Sequence, residues 1–306
     1  MTTISPTAEP RSFGCCPGPV FVIGAPRSGT TALGRALGEH SRLYAGDETL
    51  FMMELFGNRR GEAVHERWAG RPSSSWLRRE NVTLDDFLEA LGGGLDALLT
   101  RNAGGRRWVD HTPMYARIAP TLGRVFPRAA FLHILRDGRE VVNSMINISR
   151  TLPGDVAEQM KTKGFVPEWG RDFRAACATW RDTTRAAADY GRDQPYRCRT
   201  IRHADLEADP ESALADVFRF LGVPDEPAPA RFLRTRRFNT SFTGPDGPGP
   251  VPPDEYRRPD PWSAWSDEQR TIFLDVAGAE MRAHGFACPV SATSPGASGS
   301  PAPSGG

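Results

Sequence analysis

The sequence predicts an α/β fold in which a parallel sheet carries helices on both faces, and three observations predict it. Val20-Phe21-Val22-Ile23 is a short β-branched and aromatic run that ends at Gly24 and gives way, after a turn, to a segment from Thr30 with apolar residues at helical spacing. Residues 129–135 (AAFLHIL) repeat the pattern, running into a polar turn at Arg136-Asp137-Gly138 and then a helical stretch through Val141, Val142, Met145 and Ile146. Further strands and longer helical stretches alternate along the rest of the chain, the arrangement that builds parallel sheets.

In chain order, a short helix is expected at Phe51–Phe56, a longer one over 84–99, a strand at Arg107–Asp110 and a helix over 115–125. A helix over 172–188, a strand at Cys198–Arg202 and helices at Pro210–Leu221 and 267–284 complete the pattern. One domain over about 18–289 is the economical count. Residues 1–17 read as a flexible segment, and 290–306, built of small residues, Gly and Pro, as a disordered tail that cannot bury enough surface to offset its ordering entropy. There is no internal repeat between them.

With 306 residues, 39% hydrophobic and 25% charged, the chain can bury a substantial core, which excludes a disordered protein. A formal net charge of +1 excludes the strong field that non-specific nucleic-acid or anionic-membrane binding needs, so any anion must be held locally. Only Lys161 and Lys163 among the 38 basic residues are lysine, a bias that reads as GC-rich, bacterial genome composition. The five cysteines, Cys15, Cys16, Cys177, Cys198 and Cys288, show no CxxC spacing and fit a reducing compartment. No apolar run approaches the roughly 20 residues of a membrane span, and the N-terminal residues lack the regions of a signal peptide. The expectation is a soluble cytoplasmic protein, with its oligomeric state open.

Gly24-Ala25-Pro26-Arg27-Ser28-Gly29-Thr30-Thr31 sits where open α/β sheets bind ligands, between the carboxyl end of a strand and the amino end of a helix. Backbone N–H groups converge there on an anion, the helix dipole favours negative charge, and Gly29 permits close approach. Arg27 adds a forked cation, and Ser28, Thr30 and Thr31 add hydroxyl donors. This is a phosphate-type cradle. It lacks the Lys of GxxxxGK[ST], so it is not a Walker A loop.

The run Val22 to Thr31 resembles the 5′-phosphosulfate loop of sulfotransferases that use 3′-phosphoadenosine 5′-phosphosulfate (PAPS), whose fold is P-loop-like. Three further segments resemble the same family. Phe126-Pro127 with Ile134-Leu135-Arg136 through Ser144 is similar to its 3′-phosphate segment, in which an Arg and a Ser eight positions later hold the phosphate; here these are Arg136 and Ser144. Asp205-Leu206-Glu207-Ala208-Asp209-Pro210 with Phe220 to Pro224, and Trp108 to Pro113, resemble its late and middle segments. The likeness spans about 18–286. A bidentate Arg at a strand end and a hydroxyl two helical turns on suit a phosphate on physical grounds too. Taken singly, Arg136 could equally pair with Asp137 or Glu140, and Ser144 with its own backbone.

Glu48 follows Arg27 by 21 residues, in Gly46-Asp47-Glu48-Thr49, and this matches the general-base Glu of tyrosylprotein-type and related bacterial members. A hydroxyl attacking sulfur must lose its proton as the bond forms, which a carboxylate within hydrogen-bond reach can accept. Asp47 is the competing carboxylate. Where the family has a Lys that contributes at the leaving group, this chain has His111, which could supply a donor there or simply pack beside Pro113. Where members often have Tyr near the nucleotide, this chain has His203, which could stack on adenine or be a satisfied strand-end histidine. Residues 238–262 read either as a loop that closes over the nucleotide or as a linker.

What the resemblance implies is sulfuryl transfer from PAPS to the hydroxyl, or less readily the amine, of a small-molecule or peptide acceptor. Adenosine 3′,5′-bisphosphate would be released, with no metal and no nucleic-acid or membrane partner. Catalysis would fall to Glu48, Arg27 and His111, and nucleotide binding to Arg27, Ser28, Gly29, Thr30, Thr31, Arg136, Ser144 and His203. The rivals are a P-loop-type kinase, which lacks its Lys here, and a non-catalytic nucleotide-binding protein on the same fold. The acceptor would lie against 50–76 and 149–169, where Phe51, Met52, Met53 and Phe56 could face it or belong to the core.

Overall fold

The computed structural model describes residues 18–71, 75–147, 167–235 and 260–288. Within them, β1 (Val20–Ile23), β2 (Leu43–Ala45), β3 (Arg107–Asp110), β4 (Ala130–Leu135) and β5 (Cys198–Arg202) form one sheet in the order β2-β3-β1-β4-β5. Every pairing is parallel. The chain leaves the central β1 for β2 and β3 on one side and crosses to β4 and β5 on the other. A crevice therefore opens at the carboxyl end of β1. The sequence motifs at 1–17, nearly all of 238–262 and 149–169, and the tail from 289 lie outside the described residues, as do Cys15 and Cys16.

The helices are α1 (Thr30–Gly38), α2 (Phe51–Phe56), α3 (Arg60–Ala69), α4 (Trp76–Arg79), α5 (Leu84–Asn102), α6 (Ala119–Val125), α7 (Gly138–Ile146), α8 (Phe173–Asp193), α9 (His203–Ala208), α10 (Pro210–Leu221), α11 (Pro227–Thr235), α12 (Pro261–Ala264) and α13 (Asp267–Ala283). Alternate residues of β1 point to opposite faces, and both faces are covered. Val20 and Val22 pack with Leu33 and Leu37 of α1 and Leu214 and Phe218 of α10. Phe21 and Ile23 face Leu88 of α5 and Leu122 of α6. Phe21 is the hub of that second face, with the rings of Trp108, Phe126 and Phe131 at 5.5, 5.5 and 5.2 Å. A third cluster gathers Val141, Trp180 and Phe273 from α7, α8 and α13.

The expected strands and helices are present, with one change of form. Where a single helix over 115–125 is expected, a 3-10 turn covers Pro113–Ile118 and α6 starts afresh at Ala119. Pro120 causes the break, because it has no N–H to continue a helix from Tyr115 and is well tolerated only in a helix's first turn. Met52 and Phe56 lie in the core, which settles their side of the earlier alternative, while Phe51 is exposed. The short β2 and helices α3, α4, α9, α11 and α12 were not read as elements from the sequence.

α5 begins on a capping box between Thr83 and Asp86 and lies flush against α6 at Gly92. A Cβ at Gly92 would stand 1.8 Å from the Val125 carbonyl oxygen, whereas one at Gly93 would meet nothing within 4 Å. Gly92→Ala should therefore lower stability by roughly 1–3 kcal/mol through overpacking against main chain. Gly93→Ala, one residue away, should raise it by about 0.5–1 kcal/mol by relieving the entropy cost of a helical glycine. Urea melts of the two variants check the opposite signs.

Candidate active site

The loop from β1 to α1 turns back on itself. The Ser28 amide and hydroxyl both donate to the Ala25 carbonyl, at 3.1 and 2.6 Å. Gly24 approaches β4 so closely that a Cβ would lie 2.6 Å from the Ile134 carbonyl oxygen. Arg27 has φ 71°, left-handed backbone unusual for a side chain of its size, and Gly29 has φ 104°. Such departures gather at ligand clamps. Gly29 precedes α1 with no side-chain cap and no acidic residue in the first turn, so the N–H groups of Thr30 and Thr31 open a helix with a bare positive end. Thr30 is buried and Thr31 half-buried.

Two segments far apart in sequence meet over this loop. Arg27 Nε donates to Ser144 Oγ on α7 at 3.2 Å, and Arg136 Nη1 donates to the Arg27 carbonyl at 3.1 Å. Arg136 also donates from Nε to Glu140 Oε2 at 2.8 Å, with Nη2 2.7 Å from the same oxygen. The ion pair weighed from sequence is thus present with Glu140, while Asp137 is taken by Arg139. Burial, and then the charge of Arg136, lower the Arg27 guanidinium's hold on its proton; Glu48 works the other way. Trp180 Nε1 donates to the Arg136 carbonyl at 3.2 Å, and its ring lies so close to Gly138 that a Cβ there would come within 2.8 Å of it.

Glu48, whose charge acts on Arg27, lies in the segment after β2. Asp110, 1% exposed at the end of β3, holds that segment in place. Its Oδ2 accepts from the Thr49 hydroxyl at 2.5 Å and the Thr49 amide at 3.3 Å, and its Oδ1 accepts from the Thr112 amide at 2.7 Å. The Tyr115 hydroxyl lies 2.7 Å from Thr49 Oγ1, its phenol pushed well up by burial and by Asp110. Asp47 is exposed.

His111, 2% exposed, packs on α1 at Gly34, where a Cβ would fall 2.4 Å from ring carbon Cδ2. Its Nε2 is 3.0 Å from the Gly46 carbonyl, which can only accept, so that nitrogen carries a hydrogen. Nδ1 then faces Glu48 Oε1 at 3.8 Å, an ion-pair distance too long for a direct hydrogen bond. Burial opposes the imidazolium, but Glu48, Asp110 and the Gly46 carbonyl outweigh it and raise the His111 pKa.

His203 opens α9 rather than ending β5. Its Nδ1 is 3.3 Å from Glu207, and its ring edge lies 2.8 Å from where a Gly29 Cβ would be. The fold thus gathers Arg27, Ser28, Gly29, Thr30, Thr31, Arg136, Ser144, Glu48, His111 and His203 around the carboxyl ends of the strands. Asp110, Thr49, Tyr115, Gly34 and Trp180 were not singled out from sequence. A carboxylate at the buried end of a strand and a glycine inside a helical pattern were the available signals for two of them. Among the described residues no group of three or more His, Cys, Asp or Glu could hold a metal ion, and no helix is long and apolar enough to cross a membrane.

Because its folded value is raised, protonated His111 stabilises the fold in full below the ordinary imidazole value of 6.5, and that contribution disappears as pH rises through the folded value. In an NMR titration, His111 should titrate above 6.5, and Glu48→Gln should lower its midpoint. An unmoved midpoint would show that the two side chains are not coupled.

A model of the sulfotransferase family matches residues 19–227. The chain is 23% identical over 205 residues to a putative protein-tyrosine sulfotransferase of Caenorhabditis briggsae, covering 67% of this chain and 65% of that protein. It is 25% identical over 207 residues to protein-tyrosine sulfotransferase 1 of Danio rerio, covering 67% and 53%. The chain therefore spans about half to two thirds of the length of these relatives. The sulfotransferase domain from the curacin biosynthetic pathway has a similar fold, with TM-score 0.51 and 20% identity over 90% of this chain and 99% of that one. With a family model covering all five strands of the sheet and the whole loop after β1, the chain belongs to the sulfotransferase family.

Proposed function

We propose that the protein transfers a sulfuryl group from PAPS to the hydroxyl of an acceptor and releases adenosine 3′,5′-bisphosphate. The observation that carries this is the contact between Arg27 and Ser144: the residues read as 5′- and 3′-phosphate ligands are 117 positions apart and touch at 3.2 Å. The donor set fits a nucleotide with two anionic ends, since the uncapped amino end of α1 lies beside Arg27 and the Arg136 fork stands next to it.

PAPS, when bound, supplies a sulfur whose bond to the 5′-phosphate breaks as the acceptor oxygen attacks in line. Glu48 accepts the acceptor's proton. Its nearness to His111 and its electrostatic effect on Arg27, on a segment fixed by Asp110, support it over the exposed Asp47. Arg27 and the loop N–H groups receive the negative charge that develops on the departing phosphate oxygen. The family pattern implies that His111 shares that task. With one nitrogen on the Gly46 carbonyl and the other toward Glu48, it acts in this reading on the base instead. His203, against Gly29, flanks the nucleotide loop. The relatives' names point to a tyrosine side chain as one acceptor class, and exposed Leu50, Phe51 and Leu55 offer apolar surface just after Glu48.

Calorimetry should show adenosine 3′,5′-bisphosphate binding far more tightly than adenosine 5′-phosphate, and Arg136→Ala should remove roughly 1.5–3 kcal/mol of the difference. Equal affinities, or a preference for ATP with Mg²⁺, would reject the reading. In a sulfuryl-transfer assay Glu48→Gln should cut turnover by about 10²–10⁴-fold with nucleotide affinity nearly unchanged. Asp47→Asn should be mild; the reverse pattern would move the base to Asp47.

A further inference from the structure

A guanidinium has five N–H bonds. In Arg136, Nε and Nη2 both point to a single oxygen of Glu140, and Nη1 reaches the Arg27 carbonyl. Two N–H bonds are left among the described residues, one on each terminal nitrogen. Glu140 belongs to the first turn of α7, where a carboxylate is favoured by the helix's positive end. The neighbouring Asp137 is not available for the task, because it caps α7 at the Arg139 amide and pairs with the Arg139 side chain. The main chain of Arg136 is fixed as well, through the Trp180 indole on its carbonyl. A long, flexible side chain is thereby held in one orientation before any ligand arrives.

We propose that Glu140 is a positioning residue for the nucleotide: by occupying one side of the Arg136 guanidinium it presents the two remaining N–H bonds to a 3′-phosphate. This rests on the nucleotide reading above. The opposite role is physically conceivable, with the carboxylate standing in for the phosphate and competing with it, and the two make opposite forecasts. Both bonds converge on one oxygen, so the amide carbonyl of a glutamine can accept them in the same place, whereas alanine can accept neither.

The test is calorimetry on the full chain with adenosine 3′,5′-bisphosphate and adenosine 5′-phosphate. Glu140→Ala should weaken the bisphosphate by about tenfold or more, the scale on which orienting partners of a ligating side chain act, and leave the monophosphate unchanged. Glu140→Gln should bind the bisphosphate at least as well as the wild type. Tighter or unaltered bisphosphate binding by Glu140→Ala, equal loss for both nucleotides, or a glutamine variant as weak as the alanine one would each overturn the assignment. A wild-type protein that does not prefer the bisphosphate would instead remove the nucleotide reading itself, and this inference with it.

Discussion

Two guanidinium groups, Arg27 and Arg136, stand side by side at the mouth of the sheet, and much of the surrounding structure answers their mutual repulsion. Each is partly withdrawn from water, where like charges repel more strongly than they do in solvent. Glu140 sits on one and Glu48 near the other, the Arg27 carbonyl bridges between them, and Ser144 accepts from Arg27 Nε. A site with both cations already in place and oriented loses little on binding a doubly anionic ligand, since the ordering cost has been met in folding.

The same economy shows in how the proposed base is held. Glu48 lies on a connection between β2 and α2 rather than in a regular element, and connections are usually mobile. Asp110 changes this, because a nearly water-free carboxylate gathers the amide and hydroxyl of Thr49 and the amide of Thr112. Three donors on one buried carboxylate make a rigid post, and Glu48 is one residue from it. Precise placement of a base comes from such supports as much as from the base itself.

How much of this was legible in the sequence follows from the range of the interactions. The strands and the anion loop were legible because their signals are local: VFVI needs no partner to be recognised as a buried strand, and the octet after it carries its own turn chemistry. Arg136 and Ser144 could be named as a pair only through the resemblance to the family's 3′-phosphate segment. The Arg136–Glu140 pair could be named only as an alternative, because an i,i+4 spacing allows contact without requiring it. The short β2, with three residues, has too few to show a period, and its place is set by pairing with β3. The break between Pro113 and Ala119 turns on Pro120, visible in the sequence but overruled by the apolar spacing around it. Asp110, Trp180 and Gly34 act across the fold, and nothing within a few residues of any of them announces its partner.

A histidine packs on each of two glycines, Gly29 at the cap of α1 and Gly34 within it. The ring of His203 leans on Gly29 and that of His111 on Gly34, five residues further on, about 7.5 Å along the axis at 1.5 Å per residue. One helix therefore gauges the distance between the loop after β1 and the His111–Glu48 pair. In a lineage of such proteins, Gly34 cannot be exchanged for a bulkier residue unless the imidazole of His111 shrinks or swings away in the same step, whereas Gly29, at φ 104°, is strained by any side chain wherever His203 stands. Positions 34 and 111 thus form one character on which selection acts rather than two.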